Sequence, residues 1–122
     1  MFFAVALLSI VTVAAAVGAI LISLHDARVV PEHGPGGVKL TAAEAQGRKL
    51  FAATCATCHT LAAAHAVGRI GPNLDVLQPS AALVSYAIQN GFAIGQGQMP
   101  ADLYSGTDAS DIAQFVAAVA GR

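Results

Sequence analysis

No charged residue occurs between Met1 and Leu24, and this feature constrains the chain most, because an unbroken apolar segment cannot form the surface of a small globular domain. Residues 2–24 are Ala, Val, Leu, Ile and Phe, interrupted only by two serines, one threonine and one glycine. A helix of this length rises about 1.5 Å per residue and crosses a hydrocarbon core about 30 Å thick. We therefore predict a single transmembrane helix, with residues 1–24 as the anchor.

A cleaved secretory signal and a buried core helix are the alternative interpretations of this segment. Signal peptides begin with a basic region and end at a cleavage site made of small residues. No basic residue precedes the segment, and cleavage at the small residues Ala14 and Ala16 would leave Ile20 to Leu24 as an apolar stub. Charge does not indicate the orientation of a membrane span here, because Arg28 is the only cation near it.

Proline and glycine interrupt residues 25–40, which we predict to be a linker. A flexible segment of this length has a typical end-to-end distance of about 20 Å. Residues 41–122 are then the folded domain. Its charges are nearly balanced and its cations are scattered, which excludes a phosphate-binding stripe and therefore nucleic acid as a partner.

The domain begins with a helix signal. Thr41 and Glu44 form a capping-box pattern, which predicts a helix that starts after Thr41. Helical spacing places the following residues on one face: Ala43, Gly47, Leu50, Phe51 and Thr54.

Two more helices are predicted further along the domain. Ser80 is placed to cap a helix that ends at Gly91 and carries on one face Leu83, Tyr86, Ala87 and Asn90. A last helix begins near Thr107 or Asp108, with an apolar stripe of Ile112, Phe115, Val116 and Val119. No segment alternates with period two for long enough to be a strand, so the fold class is all-α. Few aromatic residues make its core thin, and domains this small often need a cofactor.

The residues that carry chemistry are Cys55-Ala56-Thr57-Cys58-His59, the Cys-x-x-Cys-His pattern of covalent haem attachment. Two thiols three residues apart on one helical turn can form thioethers to the two vinyl groups of one haem. His59 is then placed under the iron as an axial ligand. The alternatives are a redox-active dithiol, a zinc site and a simple disulfide. The dithiol is expected within a βαβ unit and zinc needs about four ligands, so the sequence favours neither.

A haem iron that transfers electrons without binding substrate needs a sixth ligand, and methionine in that place raises the reduction potential. Met99 is the only methionine beyond Met1, and it lies in a glycine-rich turn before Pro100. A core methionine that fills a gap is the alternative. His65 is the rival ligand, but we expect it to be an exposed loop residue.

The domain resembles the monohaem cytochrome c family, in its short bacterial form. The resemblance rests on Gly47, Phe51, the Cys-x-x-Cys-His motif, Gly71-Pro72-Asn73-Leu74, Gly97-Gln98-Met99-Pro100, Ile112 and Phe115. It implies a small cytochrome c fold of three main helices around one haem c, with the first and last helices crossing at Gly47. It also implies that the Pro72 carbonyl accepts the Nδ1 hydrogen of His59 and that Leu74 packs on the haem.

The expected function is one-electron transfer through haem c iron held by His59 and Met99, with no substrate transformed. Haem c is attached outside the cytoplasm, so residues 2–24 would span the membrane with the N-terminus inside and the haem domain on the periplasmic or extracellular side. The expected partners are a redox donor and a redox acceptor in the same membrane. The chain would be a tethered shuttle or a haem subunit of a respiratory or photosynthetic complex.

Two other function classes stay open at this point. One is a peroxidase-like enzyme or gas sensor, in which the sixth position of the iron is open to a small ligand. The other is a binding module without haem, in which Cys55 and Cys58 form a plain disulfide.

Overall fold

The computed structural model of the protein describes residues 11–21, 37–93 and 97–122. Contacts divide the chain into two compact units, Met1–Val30 and Pro31–Arg122. In the first unit, residues 11–21 are helical, and large apolar side chains such as those of Val13 and Leu21 are exposed.

The predicted anchor at residues 1–24 and the predicted linker at residues 25–40 lie largely outside the described residues, because residues 1–10 and 22–36 are not among them. Within the three described ranges, no helix is both long enough and apolar enough to cross a membrane. The transmembrane helix and the domain boundaries stay predictions.

The first α-helix that the structure describes in the second unit is α1, Ala42–Thr54, and its first turn has the capping box expected from the sequence. The backbone N–H of Glu44 donates to Thr41 Oγ1 at 3.2 Å, and the N–H of Thr41 donates to Glu44 Oε2 at 2.7 Å. Both bonds satisfy backbone donors that a helix start otherwise leaves unpaired. The predicted start of this helix is confirmed.

Three more α-helices follow in the described part of the domain: α2, Leu74–Leu77; α3, Ala81–Asn90; and α4, Gly106–Val119. The Ser80 hydroxyl accepts the N–H of Leu83 at 3.2 Å, so the predicted cap of α3 is confirmed. Helix α4 begins slightly earlier than predicted, and its stripe of Ile112, Phe115, Val116 and Val119 is buried.

Helices α1 and α4 cross at Gly47. A Cβ atom on Gly47 would overlap the carbonyl oxygen of Asp111 and would lie 2.9 Å from the nitrogen of Ile112, so only glycine allows this approach. One turn further, the rings of Phe51 and Phe115 meet edge to face with centroids 6.1 Å apart. The crossing implied by the resemblance is therefore present, and it joins the two ends of the domain.

The structure differs from the all-α prediction in its loops. Two short strands, β1 at Thr60–Leu61 and β2 at Ala66–Val67, pair antiparallel. An isolated antiparallel bridge joins Phe92 to Met99. These pairings are two residues or one residue long, which is too short for any period-two pattern in the sequence to reveal them. The domain is still mostly helical.

Helix α3 also presents a different face to the protein core from the one that the sequence indicated. Its buried residue is Ile88, whereas Leu83 is 41 % exposed and Tyr86 is 58 % exposed. The helix is apolar on several sides, so periodicity alone does not select the buried side.

Candidate functional site

The Cys-x-x-Cys-His motif continues directly from the end of α1. The N–H of Cys55 donates to the carbonyl of Phe51, and Cys55–Thr57 then form a 3₁₀ turn. The N–H groups of Cys58 and His59 both donate to the Cys55 carbonyl, at 3.1 and 3.0 Å. The motif is therefore anchored to the helix that crosses α4, and its shape is set by backbone hydrogen bonds.

Cys55 and Cys58 are both half-buried, and no bond joins them to each other. Burial raises the pKa of the Cys55 thiol to about 11, and the nearby Cys58 adds to this rise, while a backbone hydrogen bond opposes it. A free thiol with this pKa stays protonated at neutral pH, whereas dithiol redox chemistry requires a thiolate. The raised pKa of Cys55 therefore does not favour a redox-active pair.

A zinc site is also not favoured. Among the residues that the structure describes, no group of three or more His, Cys, Asp or Glu side chains is arranged to hold a metal ion. Structural zinc usually takes four such ligands.

The imidazole of His59 is fixed by the chain that follows β2. Its Nδ1 atom lies 2.9 Å from the carbonyl oxygen of Pro72. Because a carbonyl oxygen can only accept, Nδ1 carries the proton in this hydrogen bond, and the lone pair of the neutral ring is on Nε2. The bond that the resemblance implies between these two residues is present, and it leaves the lone pair of Nε2 available to coordinate a metal.

Two glycines allow this chain to lie against the motif. A Cβ atom on Gly71 would lie 2.5 Å from Cε1 and 2.7 Å from Nδ1 of His59. A Cβ atom on Gly68 would lie 2.6 Å from the carbonyl carbon of Cys58. Backbone bonds reinforce the contact, since the N–H of Gly71 donates to the Cys58 carbonyl at 2.8 Å. Neither position 68 nor position 71 therefore has room for a side chain larger than that of glycine.

Leu74, the predicted haem-packing residue, is the first residue of α2 and is 8 % exposed. The Asn73 side chain caps this helix by accepting the N–H groups of Asp75 and Val76. The cap sets the direction of the chain directly after Pro72.

Asp75 is a residue whose role the sequence reasoning missed. Its carboxylate accepts the N–H of Ala62 at 2.8 Å and the N–H of Gly121 at 3.1 Å. It therefore links α2 both to the segment after His59 and to the C-terminal end of the chain. An Asn-Leu-Asp sequence is a recognisable helix start, but the two long-range partners depend on the tertiary fold.

Met99 is half-buried and packs against the hydrophobic core. Its backbone exchanges two hydrogen bonds with Phe92, at 2.8 and 3.1 Å. Gly91, with φ of 71°, ends α3 where a Cβ atom would lie 2.6 Å from the Met99 carbonyl oxygen. The backbone of Met99 is thus held against the end of α3.

The segments that carry Pro72 and Met99 touch each other. A Cβ atom on Gly97 would lie 3.0 Å from Cγ2 of Ile70, the residue before Gly71. This contact brings together two parts of the chain that are far apart in sequence. The structure thus joins His59 to Pro72 by a hydrogen bond and brings the Met99 segment against the Pro72 segment.

His65, the rival ligand, lies outside both the attachment motif and the segment that carries Met99. It is an exposed residue with φ of 52° that ends the 3₁₀ turn Ala62–Ala64. Its position agrees with the expected loop role.

These residues fit a covalently bound haem. Two cysteines lie on one turn, the adjacent imidazole has the lone pair of Nε2 available, and the backbone of Gly71 lies against that ring. A methionine thioether is available from a segment in contact with the same region. Imidazole and thioether are the axial donors of electron-transferring haem.

Comparison with known proteins gives a consistent result. The protein family described as "Cytochrome C oxidase, cbb3-type, subunit III" matches residues 42–116. Among solved structures, the c-type cytochrome SorU from Sinorhizobium meliloti is 42 % identical in sequence, and the match has a TM-score of 0.58. It covers 66 % of this chain and 93 % of SorU. No curated protein is significantly similar to the chain.

Proposed function

The chain belongs to the c-type cytochrome family described as cytochrome C oxidase, cbb3-type, subunit III, and on that premise we propose that it transfers single electrons through haem c ligated by His59 and Met99. The chain is a monohaem c-type cytochrome, and its cofactor is one covalently bound haem c. Haem c supplies the one-electron chemistry of its iron. The residues of this chain attach, orient and enclose it.

The observation that carries the proposal is the hydrogen bond between His59 Nδ1 and the Pro72 carbonyl. It fixes both the tautomer and the orientation of the imidazole, which keeps Nε2 available to the iron and increases its basicity. Gly71 supports this orientation because its backbone contacts the ring. An imidazole fixed in this way would need little reorganisation if it held an iron that changes its charge.

Met99 is the proposed sixth ligand. Its backbone is held by Phe92 and Gly91, and its segment contacts Ile70 beside the histidine side of the site. If His59 and Met99 both held the iron, haem c would supply electron exchange without binding a substrate. This supports a carrier over a peroxidase-like enzyme or gas sensor.

We further propose that residues 1–24 tether the domain to a membrane, with the N-terminus in the cytoplasm and the haem domain on the periplasmic or extracellular side. The uncharged length of this segment supports the tether. The linker at residues 25–40 would give the domain a reach of about 20 Å. Confinement raises the effective concentration of redox donors and acceptors in the same membrane.

The ligand proposal is tested with Met99→Ala in the haem-loaded protein. We expect the weak far-red band of the methionine–iron bond to disappear from the oxidised spectrum and the reduction potential to fall. His65→Asn is the matched control, because asparagine tolerates the left-handed backbone at that position, and it should change neither property. An unchanged potential and spectrum in Met99→Ala would show that another group is the sixth ligand.

The tether proposal is tested by the intact mass and by replacing residues 1–24 with a cleavable signal peptide. We expect the natural chain in the membrane fraction, with the mass of all 122 residues plus one haem, and the replaced chain in the periplasmic soluble fraction. A natural product that lacks the first 16 to 24 residues would show that the segment is a cleaved signal instead.

A further inference from the structure

Tyr104 makes a polar link between two parts of the domain that are distant in sequence. Its hydroxyl oxygen lies 2.8 Å from Thr54 Oγ1 and 3.5 Å from the carbonyl oxygen of Leu50. The geometry allows the Thr54 hydroxyl to donate to Tyr104 while the Tyr104 hydroxyl donates to Leu50. The ring itself is half-buried and packs against the core.

The two partners of this link lie near the proposed haem-binding residues in the sequence. Thr54 is the last residue of α1 and directly precedes Cys55, the first thiol of the attachment motif. Tyr104 ends the segment that begins with Met99 and leads into α4. The hydroxyl pair therefore connects the end of the helix that leads into the attachment motif to the segment that follows Met99.

Backbone hydrogen bonds hold the segment between Met99 and Tyr104 in place, so this segment cannot easily shift. The N–H of Asp102 donates to the Gln89 carbonyl at 3.1 Å, and the N–H of Leu103 donates to the Ile88 carbonyl at 3.2 Å. Both bonds fix this segment to the end of α3. A displacement of Met99 that carries the segment with it would therefore strain the bond between Tyr104 and Thr54.

We propose that Tyr104 is a positioning residue, whose bond to Thr54 keeps the Met99 thioether in place relative to the haem-attachment turn. This inference rests on the proposed ligation of iron by His59 and Met99. The hydroxyl is the group that acts, because phenylalanine would fill the same space in the core but could not bond to Thr54.

The test compares Tyr104→Phe with Thr54→Val in the oxidised holoprotein, with imidazole as a competitor for the sixth position. Each variant removes one hydroxyl of the pair and keeps the side-chain shape. The far-red band reports how much iron keeps its methionine. We expect each variant to lower the imidazole concentration at half-displacement about fivefold, the fold-change for a lost hydrogen bond.

Two further variants show whether the effect belongs to the pair. The double variant should give the same shift as either single variant, because the hydroxyls act through one bond. Thr107→Val is the control for the loss of a hydroxyl outside the pair, since Thr107 is exposed in the first turn of α4. It should leave the imidazole concentration unchanged.

Two results would overturn the inference, and they are distinguishable. If Tyr104→Phe lowers only the melting temperature and leaves the imidazole concentration as in the natural protein, Tyr104 has a structural role and does not position Met99. If the natural protein itself lacks the far-red band, the proposed ligation by Met99 is wrong, and the role of Tyr104 is wrong with it.

Discussion

Gly71 lies directly against His59, so closely that a Cβ atom at this position would be 2.5 Å from Cε1 of the ring. Real Cβ contacts are not this short, so any larger residue must displace either the ring or the backbone. The same backbone leads into Pro72, whose carbonyl accepts the Nδ1 hydrogen. A change in the conformation of this loop would therefore also change the orientation of the His59 ring.

Gly71→Ala is expected to disturb the histidine ligand without preventing haem attachment. The added methyl group moves the imidazole away from Pro72, which should destabilise the protein by about 1–3 kcal/mol and alter the low-spin spectrum. The checks are thermal unfolding and visible spectra of the holoprotein. Gly97→Ala is the control, because its methyl group meets mainly the Ile70 side chain, which can move. Equal effects of the two variants would contradict the prediction.

Gly47→Ala is expected to destabilise the crossing of α1 and α4. The new Cβ atom would overlap the backbone of Asp111, which cannot move without separating the helices. Overpacking of this kind costs about 1–3 kcal/mol, although alanine favours a helix over glycine. Denaturant unfolding measures the loss. Gln46→Ala, at the exposed neighbouring position, should change stability little.

The helix caps offer a comparison between similar residues. Thr41→Ala and Ser80→Ala each remove a side-chain acceptor for a backbone N–H and should cost about 1 kcal/mol. Ser105 precedes α4 in the same way but makes no capping bond with its side chain. Ser105→Ala should therefore leave the free energy of unfolding nearly unchanged, and a loss equal to that of Thr41→Ala would argue against the capping account.

Asp75→Ala is expected to loosen the segment after His59. It removes the acceptor for the N–H groups of Ala62 and Gly121, which should cost about 1–3 kcal/mol. Hydrogen exchange at these two amides should speed up more than at amides inside α1. Asp108→Ala is the control for the lost charge, since Asp108 is exposed in the first turn of α4 and should cost at most about 1 kcal/mol.

The sequence predicted the features that depend on local chemistry. The capping boundaries at Thr41 and Ser80 and the stripe of α4 follow from side-chain type and helical spacing, and the structure has all of them. The contact of His59 with Pro72 came from the resemblance, because nothing local relates two residues 13 positions apart.

The features that the sequence did not predict depend on tertiary contacts. The pairing of Phe92 with Met99 forms because Gly91 turns the chain at the end of α3, and the partners of Asp75 come from two distant segments. The buried side of α3 is selected by α4, whereas its own sequence is apolar on several sides. Helix α2 has four residues, too few for periodicity to show.

The fit of Gly68 against the attachment motif has a consequence for the spacing of the two cysteines. A Cβ atom at this position would lie 2.6 Å from the carbonyl carbon of Cys58 and 2.7 Å from the carbonyl oxygens of Ala56 and Thr57. All three of these atoms belong to the backbone, so no rotation of a side chain could make room for it. Any residue larger than glycine at position 68 would therefore displace the turn that carries both cysteines, and the geometry of haem attachment depends on a residue outside the motif itself.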